Sequence, residues 1–290
     1  MSAWTWLPSG PCTVSGCVTP SSRTAGAVRR AVRVLGVLGL LLAALPWMAV
    51  ARRLGADSLS AATMAQARML LRVLGIRVRV QEGFTVFGGA RSPRPASVPG
   101  DGAALIVANH VSWLDPLVVA AVVPCRALAK SEIARWPVLR TLVAGSGAVF
   151  IDRERLSLLP GTVRQVAAVL REGRSVVAFP EGTTWCGRGT GVFRPAVFQA
   201  AVEAEVPVRP VTLRYGEVGG ALATAPAFVG EDTLLASLGR VLASRGLEVE
   251  VTLFPLLAYE AGVSRRELAG IARATVSGDL PRSHEVPAAA

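Results

Sequence analysis

The chain has 290 residues, of which 51% are hydrophobic, and a formal net charge of +11, which allows one sizeable core beneath a basic surface. A basic, apolar chain suits an anionic lipid surface or a phosphorylated ligand, and the absence of basic runs interleaved with aromatics excludes the common nucleic-acid modules. Cys12, Cys17, Cys125 and Cys186 are scattered without a Cys-x2-Cys pair, so neither a zinc site nor a disulfide framework is expected; core thiols in a reducing compartment fit.

Residues 1–25 are rich in Ser, Pro, Gly and Thr without periodicity and predict a disordered leader. Residues 34–51 form an uncharged apolar stretch between Arg29, Arg30 and Arg33 on one side and Arg52 and Arg53 on the other. A bilayer needs roughly 17–25 such residues, so a transmembrane helix is at its lower limit. A monotopic or re-entrant helix and a cleaved signal peptide stay open, because arginines at both ends select no orientation and Pro46 predicts a kink. Residues 58–74 carry Leu59, Ala62, Met69, Leu70 and Val73 at helical spacing. Residues 26–75 are therefore expected to form an N-terminal helical membrane anchor.

From Ile76 the pattern changes to alternation, and residues 88–102 read as a loop. Strands are expected at 76–80, 104–108, 126–129, 148–151, 175–179, 208–214 and 248–254. Helices are expected at 116–123, 137–144, 156–171, 195–203, 233–244 and 264–275. The alternation predicts an α/β domain over residues 76–276, a layered sheet with flanking helices, followed by a disordered tail at 277–290.

Four stretches carry polar residues at the ends of apolar runs. In the first, Asn109-His110-Val111-Ser112-Trp113-Leu114-Asp115-Pro116, Asp115 reads as a helix N-cap and Pro116 as the first helical residue. His110 and Asp115 are five apart, about 140° around a helix, so they meet only if His110 sits in the turn before it. Such a pair can deprotonate a hydroxyl attacking a thioester, the carboxylate holding the imidazole tautomer. The same residues could simply cap a helix. In the second, Gly147 to Arg153, a strand delivers Arg153 where it could clamp a phosphate or form a surface ion pair. In the third, Phe179-Pro180-Glu181-Gly182-Thr183-Thr184, Gly182 permits close backbone approach and the threonines offer hydroxyls. The fourth, Val206-Pro207-Val208-Arg209-Pro210, reads as a structural strand entry. No Gly-x-Ser-x-Gly elbow occurs, which argues against a serine hydrolase using His110 as base.

Together these stretches resemble, in order, the four blocks of the glycerolipid acyltransferase family, typified by bacterial 1-acylglycerol-3-phosphate acyltransferase. Asn109, His110 and Asp115 match its Asn-His-x4-Asp signature. Phe150, Ile151 and Arg153 match the second block, Phe179 to Thr183 the third, and Val206, Pro207, Val208 and Pro210 the fourth. The resemblance implies His110 as general base with Asp115 as partner, and Arg153, Glu181, Gly182 and Thr183 lining the acceptor site. Lys130, the sole lysine, falls where the family often has a basic residue near the ligand. It implies an acyl-CoA or acyl carrier protein donor, a lysolipid acceptor, membrane lipids as partners, and no cofactor, metal or nucleic acid. The expected acceptor is 1-acylglycerol 3-phosphate at the cytoplasmic face of the cell membrane. Thr184 stands where the family's lysophosphatidate enzymes carry Arg, as in relatives that acylate lyso-ornithine lipid, the alternative acceptor. A catalytically inactive lipid-binding protein is the alternative outside enzymes.

Overall fold

A computed structural model describes residues 10–84, 102–131, 145–152 and 155–278. Among them, seven strands make one sheet: β1 (Ile76–Glu82), β2 (Leu105–Ala108), β3 (Arg126–Lys130), β4 (Val149–Ile151), β5 (Val176–Ala178), β6 (Val208–Glu217) and β7 (Leu247–Leu253). Their order across the sheet is β1-β7-β6-β2-β5-β3-β4. β6, β2, β5, β3 and β4 run parallel; β7 runs antiparallel to β6, and β1 parallel to β7. The described helices are α1 (Val14–Cys17), α2 (Ala27–Arg53), α3 (Ala56–Leu74), α4 (Asp115–Val122), α5 (Leu159–Arg171), α6 (Phe198–Ala204), α7 (Leu234–Ala243) and α8 (Arg265–Gly278).

The short central strands are apolar at every position because the sheet is covered on both faces. Leu105 and Val107 of β2 pack with Val166 and Leu170 of α5 and Ala272 of α8. Ile106 and Ala108 pack on the other side with Leu71 of α3 and Val118 of α4. One strand thus feeds two cores, and each fully buried Val, Leu or Ile contributes roughly 1.5–3 kcal/mol. α5 repeats the logic at helical spacing: Val163, Val166, Ala167 and Leu170 are buried while Arg164 and Arg171 face outward. Thr233 caps α7, its hydroxyl accepting from Ala236 N at 3.2 Å.

Differences from the sequence expectations have local causes. Residues 10–25, expected to be disordered, are packed on the domain: Cys12, Cys17 and Ala25 are buried, and Thr19 N donates to Thr224 Oγ1 at 2.9 Å. A polar composition hid a few small buried anchors. The predicted helix at 156–171 opens with one 3-10 turn, Leu156–Leu158, ahead of Leu159-Pro160. That expected at 195–203 starts at Phe198. The helix expected at 137–144 lies outside the described residues, and α8 runs to Gly278, past the expected boundary at 276.

α2 is one helix of 27 residues that continues through Pro46, long and apolar enough to cross a membrane. Only 17% of its apolar window is buried. Leu35, Leu38, Leu42, Trp47 and Val50 are exposed, and Leu42 reaches 77%. The helix nevertheless belongs to the fold. Met48 and Ala51 pack on Ala62 of α3, and Arg33 donates to Leu242 O and Ser244 O at 2.8 and 2.6 Å.

Candidate active site

The site forms where β2 and β5 end side by side. Beyond Ala108 the backbone leaves the sheet, but Asn109 keeps the pairing going with its side chain. Its Nδ2 donates to Leu213 O at 2.9 Å and its Oδ1 accepts from Leu213 N at 2.8 Å. A carboxamide does here what a peptide group would do, and this frees the next residue, His110, to turn towards α4. Aspartate would lack the donor.

His110 Nδ1 lies 2.7 Å from Asp115 Oδ2. The same oxygen accepts from Val111 N at 2.6 Å and Ser112 N at 2.8 Å. Asp115 Oδ1 accepts from Tyr215 Oη at 2.7 Å. The carboxylate is wholly buried, and the His110 side chain is 14% exposed. α4 begins at Asp115 itself, with Leu114 at the cap position, so Asp115 is not the N-cap that the sequence suggested. Its carboxylate turns back into the preceding turn. A carboxylate only accepts, so the imidazole presents Nδ1–H to it and leaves Nε2 with a lone pair. The ring also stacks on Phe179, centroids 4.3 Å apart and planes 19° from parallel, which fixes its rotation. Burial, then the neighbouring Asp115, hold the Tyr215 phenol proton far above its ordinary range, so Tyr215 stays a donor.

The third motif holds His110 by its backbone. Glu181 Oε2 accepts from His110 N at 2.8 Å, Oε1 accepts from Gly191 N at 2.8 Å, and Trp185 N donates to His110 O at 2.7 Å. Glu181 was expected to line the acceptor site; it is 4% exposed and both oxygens are taken by backbone amides, so it braces two loops instead. Burial pushes its carboxyl up to about 8, against the lowering effect of those two amides. Gly182 has φ +74, the left-handed conformation that a tight turn after a buried carboxylate requires. Thr183 is half-buried beside it, and Thr184 Oγ1 donates to Phe228 O. Lys130 closes β3 on the same sheet edge as His110, roughly 10 Å away across one intervening strand at the usual strand spacing. Arg153 lies outside the described residues.

Tyr215 is the functional residue that the sequence did not flag. It sits on β6, where an aromatic reads as ordinary strand packing. A cavity of about 560 Å³ was also missed. It is lined by Arg23, Arg29, Arg33, Arg72, Arg77 and Arg245, where β1 and β7 start. Strand register places it at the end of β6, since Ile76 pairs with Leu247 and Leu247 with Glu217, six residues beyond Val211, the partner of the last residue of β2.

This geometry agrees with what the chain resembles. A family described as Acyltransferase matches residues 88–214. The lyso-ornithine lipid O-acyltransferase of Pseudomonas aeruginosa is 34% identical over 252 residues, 85% of this chain and 90% of that protein. The chain belongs to the acyltransferase family. It is an enzyme that transfers acyl groups. The 1-acyl-sn-glycerol-3-phosphate acyltransferase of Neisseria gonorrhoeae is 36% identical over 163 residues, 56% of this chain and 63% of its own length. The crystal structure of the 1-acyl-sn-glycerophosphate acyltransferase from Thermotoga maritima superposes with a TM-score of 0.61 at 18% identity. It covers 86% of this chain and 95% of that one, which shows a shared fold.

Proposed function

We propose that the chain transfers a fatty acyl group from a thioester donor, acyl-CoA or acyl carrier protein, to the free hydroxyl of a lysolipid. The observation that carries this reading is the hydrogen-bonded line from Tyr215 through Asp115 to His110, which leaves Nε2 as the basic nitrogen of a partly exposed ring. Nε2 takes the acceptor's hydroxyl proton as its oxygen attacks the thioester carbonyl. The imidazolium so formed is stabilised by the Asp115 carboxylate. Collapse of the tetrahedral intermediate breaks the carbon–sulfur bond, and Nε2–H returns the proton to the leaving thiolate. No nucleophile on the enzyme and no cofactor is needed.

For the acceptor, 1-acylglycerol 3-phosphate is favoured by a cationic group on the catalytic edge, Lys130 at the end of β3. Lyso-ornithine lipid is the second reading. Thr184 supports it, because it stands where a cation would meet a phosphate and turns its hydroxyl to Phe228 O. So does the relative in Pseudomonas aeruginosa, whose similarity spans 85% of the chain. The exposed apolar face of α2 would seat the domain in the bilayer at its cytoplasmic face, with the exposed Arg29 among anionic headgroups. Purified protein offered labelled acyl-CoA with a panel of lysolipids tests the reading. Product on one of the two acceptors supports it. No transfer to any lysolipid hydroxyl, from either donor, overturns it.

A further inference from the structure

Three of the four cysteines converge. Cys12 and Cys17 bracket α1, and Cys186 lies two residues beyond Thr184, yet their sulfur atoms all lie within 4.8 Å of one another. All three are buried, at 4%, 8% and 1% exposure. Cys125, the fourth, stands apart at the approach to β3.

The later half of the segment they hold is tied down by hydrogen bonds, Thr19 to Thr224, Ser21 to Ser244, Ser22 to Glu217 and Ala25 N to Ala243 O, whereas Cys12 and Cys17 anchor its first half. Its described residues before α2 bury fully only Cys12, Cys17 and Ala25. A link among the cysteines would anchor the first half of this polar strip, whose apolar burial is small against the entropy of ordering it. It also lies on the third motif: a side chain added to Gly10 would meet Thr184 O at 3.3 Å and Thr183 Cγ2 at 3.6 Å.

We propose that Cys12, Cys17 and Cys186 form a metal site for a thiophilic ion, Zn2+ or Cu+, that clamps residues 10–25 onto the Thr183–Thr184 loop. Zinc–thiolate bonds of about 2.3 Å in a tetrahedron put sulfurs about 3.8 Å apart, so a small inward movement of each side chain completes the site. An iron–sulfur cluster takes four cysteines, and a disulfide would leave the third thiol over. Soft sulfur selects Zn2+ and Cu+ over hard cations. Each thiol that binds loses its proton to solvent, so the ion is held more tightly as pH rises. The fourth position of a zinc ion falls to water or a small exogenous thiol.

The test uses the full chain in detergent, purified under reducing conditions and incubated with Zn2+ or Cu+. Elemental analysis should find about one equivalent of metal per chain, and Co2+ substitution should give a thiolate-to-cobalt absorption band. Cys186→Ser should lose most of the metal and Cys125→Ser should keep it. Chelation should speed tryptic cleavage at exposed Arg23 and raise KM for the acceptor more than it lowers kcat. The KM effect alone rests on the acyl-transfer reading; metal content, cobalt spectrum and proteolysis do not. Two results would overturn the site. One is unmetallated protein with four free thiols after exposure to both ions. The other is a disulfide among these cysteines mapped in protein prepared anaerobically. Both are read on the wild-type chain, so a variant that fails to fold does not decide the matter.

Discussion

Tyr215 donates its hydroxyl to Asp115 Oδ1 at 2.7 Å, from a position 100 residues further along the chain. Both groups are buried, Asp115 wholly and Tyr215 at 2% exposure. The phenol satisfies the oxygen that His110 does not use, so the carboxylate cannot rotate away from the imidazole. Tyr215 acts through Asp115 and is a positioning residue. Tyr215→Phe removes one buried hydrogen bond without changing the ring, which costs roughly 1–3 kcal/mol where the orphaned partner is charged. The expected result is a fall in kcat of about five- to 150-fold at that energy, with KM for the acceptor held. A purely structural tyrosine would lower Tm and leave kcat of the folded fraction unchanged, and that outcome would remove Tyr215 from the relay.

His110→Ala should abolish acyl transfer while leaving membrane binding intact, because α2, not the site, carries the exposed apolar face. Asp115→Asn should lower kcat by about 10²–10⁴, the range for losing oriented acid–base catalysis. An amide cannot both accept from the Val111 and Ser112 amides and present a charge to His110. Flotation with liposomes alongside the transfer assay separates the two effects. Turnover in His110→Ala at a tenth or more of the wild-type rate would contradict the mechanism.

Glu181 makes stability fall as pH rises. Its carboxyl ordinarily titrates near 4.5 and is raised to about 8 in the fold, chiefly by burial. The folded chain therefore holds a proton that the unfolded chain releases between those values. The stabilisation is fully present below pH 4.5 and is lost as pH passes through about 8. Tm of the wild type should drop across that window, after allowance for other groups. Glu181→Gln should flatten this drop, since a carboxamide does not titrate. It should also lower Tm at acid pH, because it offers one acceptor oxygen where two amides need one each. A wild-type Tm rising steadily from pH 5 to 8 with no difference in slope from Glu181→Gln would be the falsifying result.

What the sequence disclosed and what it withheld divide along physical lines. β2 and β5 were legible as short unbroken apolar runs because a strand covered on both faces needs no alternation. The His110–Asp115 spacing was legible too, since five residues cannot share a helix face and so imply a turn. Tyr215 was not, because its partner is set by strand order, which leaves no local trace. The reversal of β7 against β6 was hidden for the same reason. Residues 10–25 were misread because three small anchors are invisible in a polar composition, and two of them are cysteines whose third partner lies near residue 186. Glu181 was assigned to the acceptor because the motif suggested it; only burial and two amide contacts reveal that it braces the loop.

Thr184 is the position at which the acceptor reading can be moved. Its hydroxyl donates to Phe228 O, which ties the half-buried side chain to the fold. Thr184→Arg cannot keep that bond and should cost roughly 0.5–1.5 kcal/mol of stability, the net worth of an ordinary hydrogen bond. A guanidinium at this position restores the cation that can pair with a phosphate. The ratio of kcat/KM for 1-acylglycerol 3-phosphate over lyso-ornithine lipid should then rise by about tenfold, the effect of roughly 1.4 kcal/mol from one charge-assisted contact. An unchanged ratio in a variant that folds would mean that the headgroup does not approach residue 184, and would move the search for its partner to Lys130.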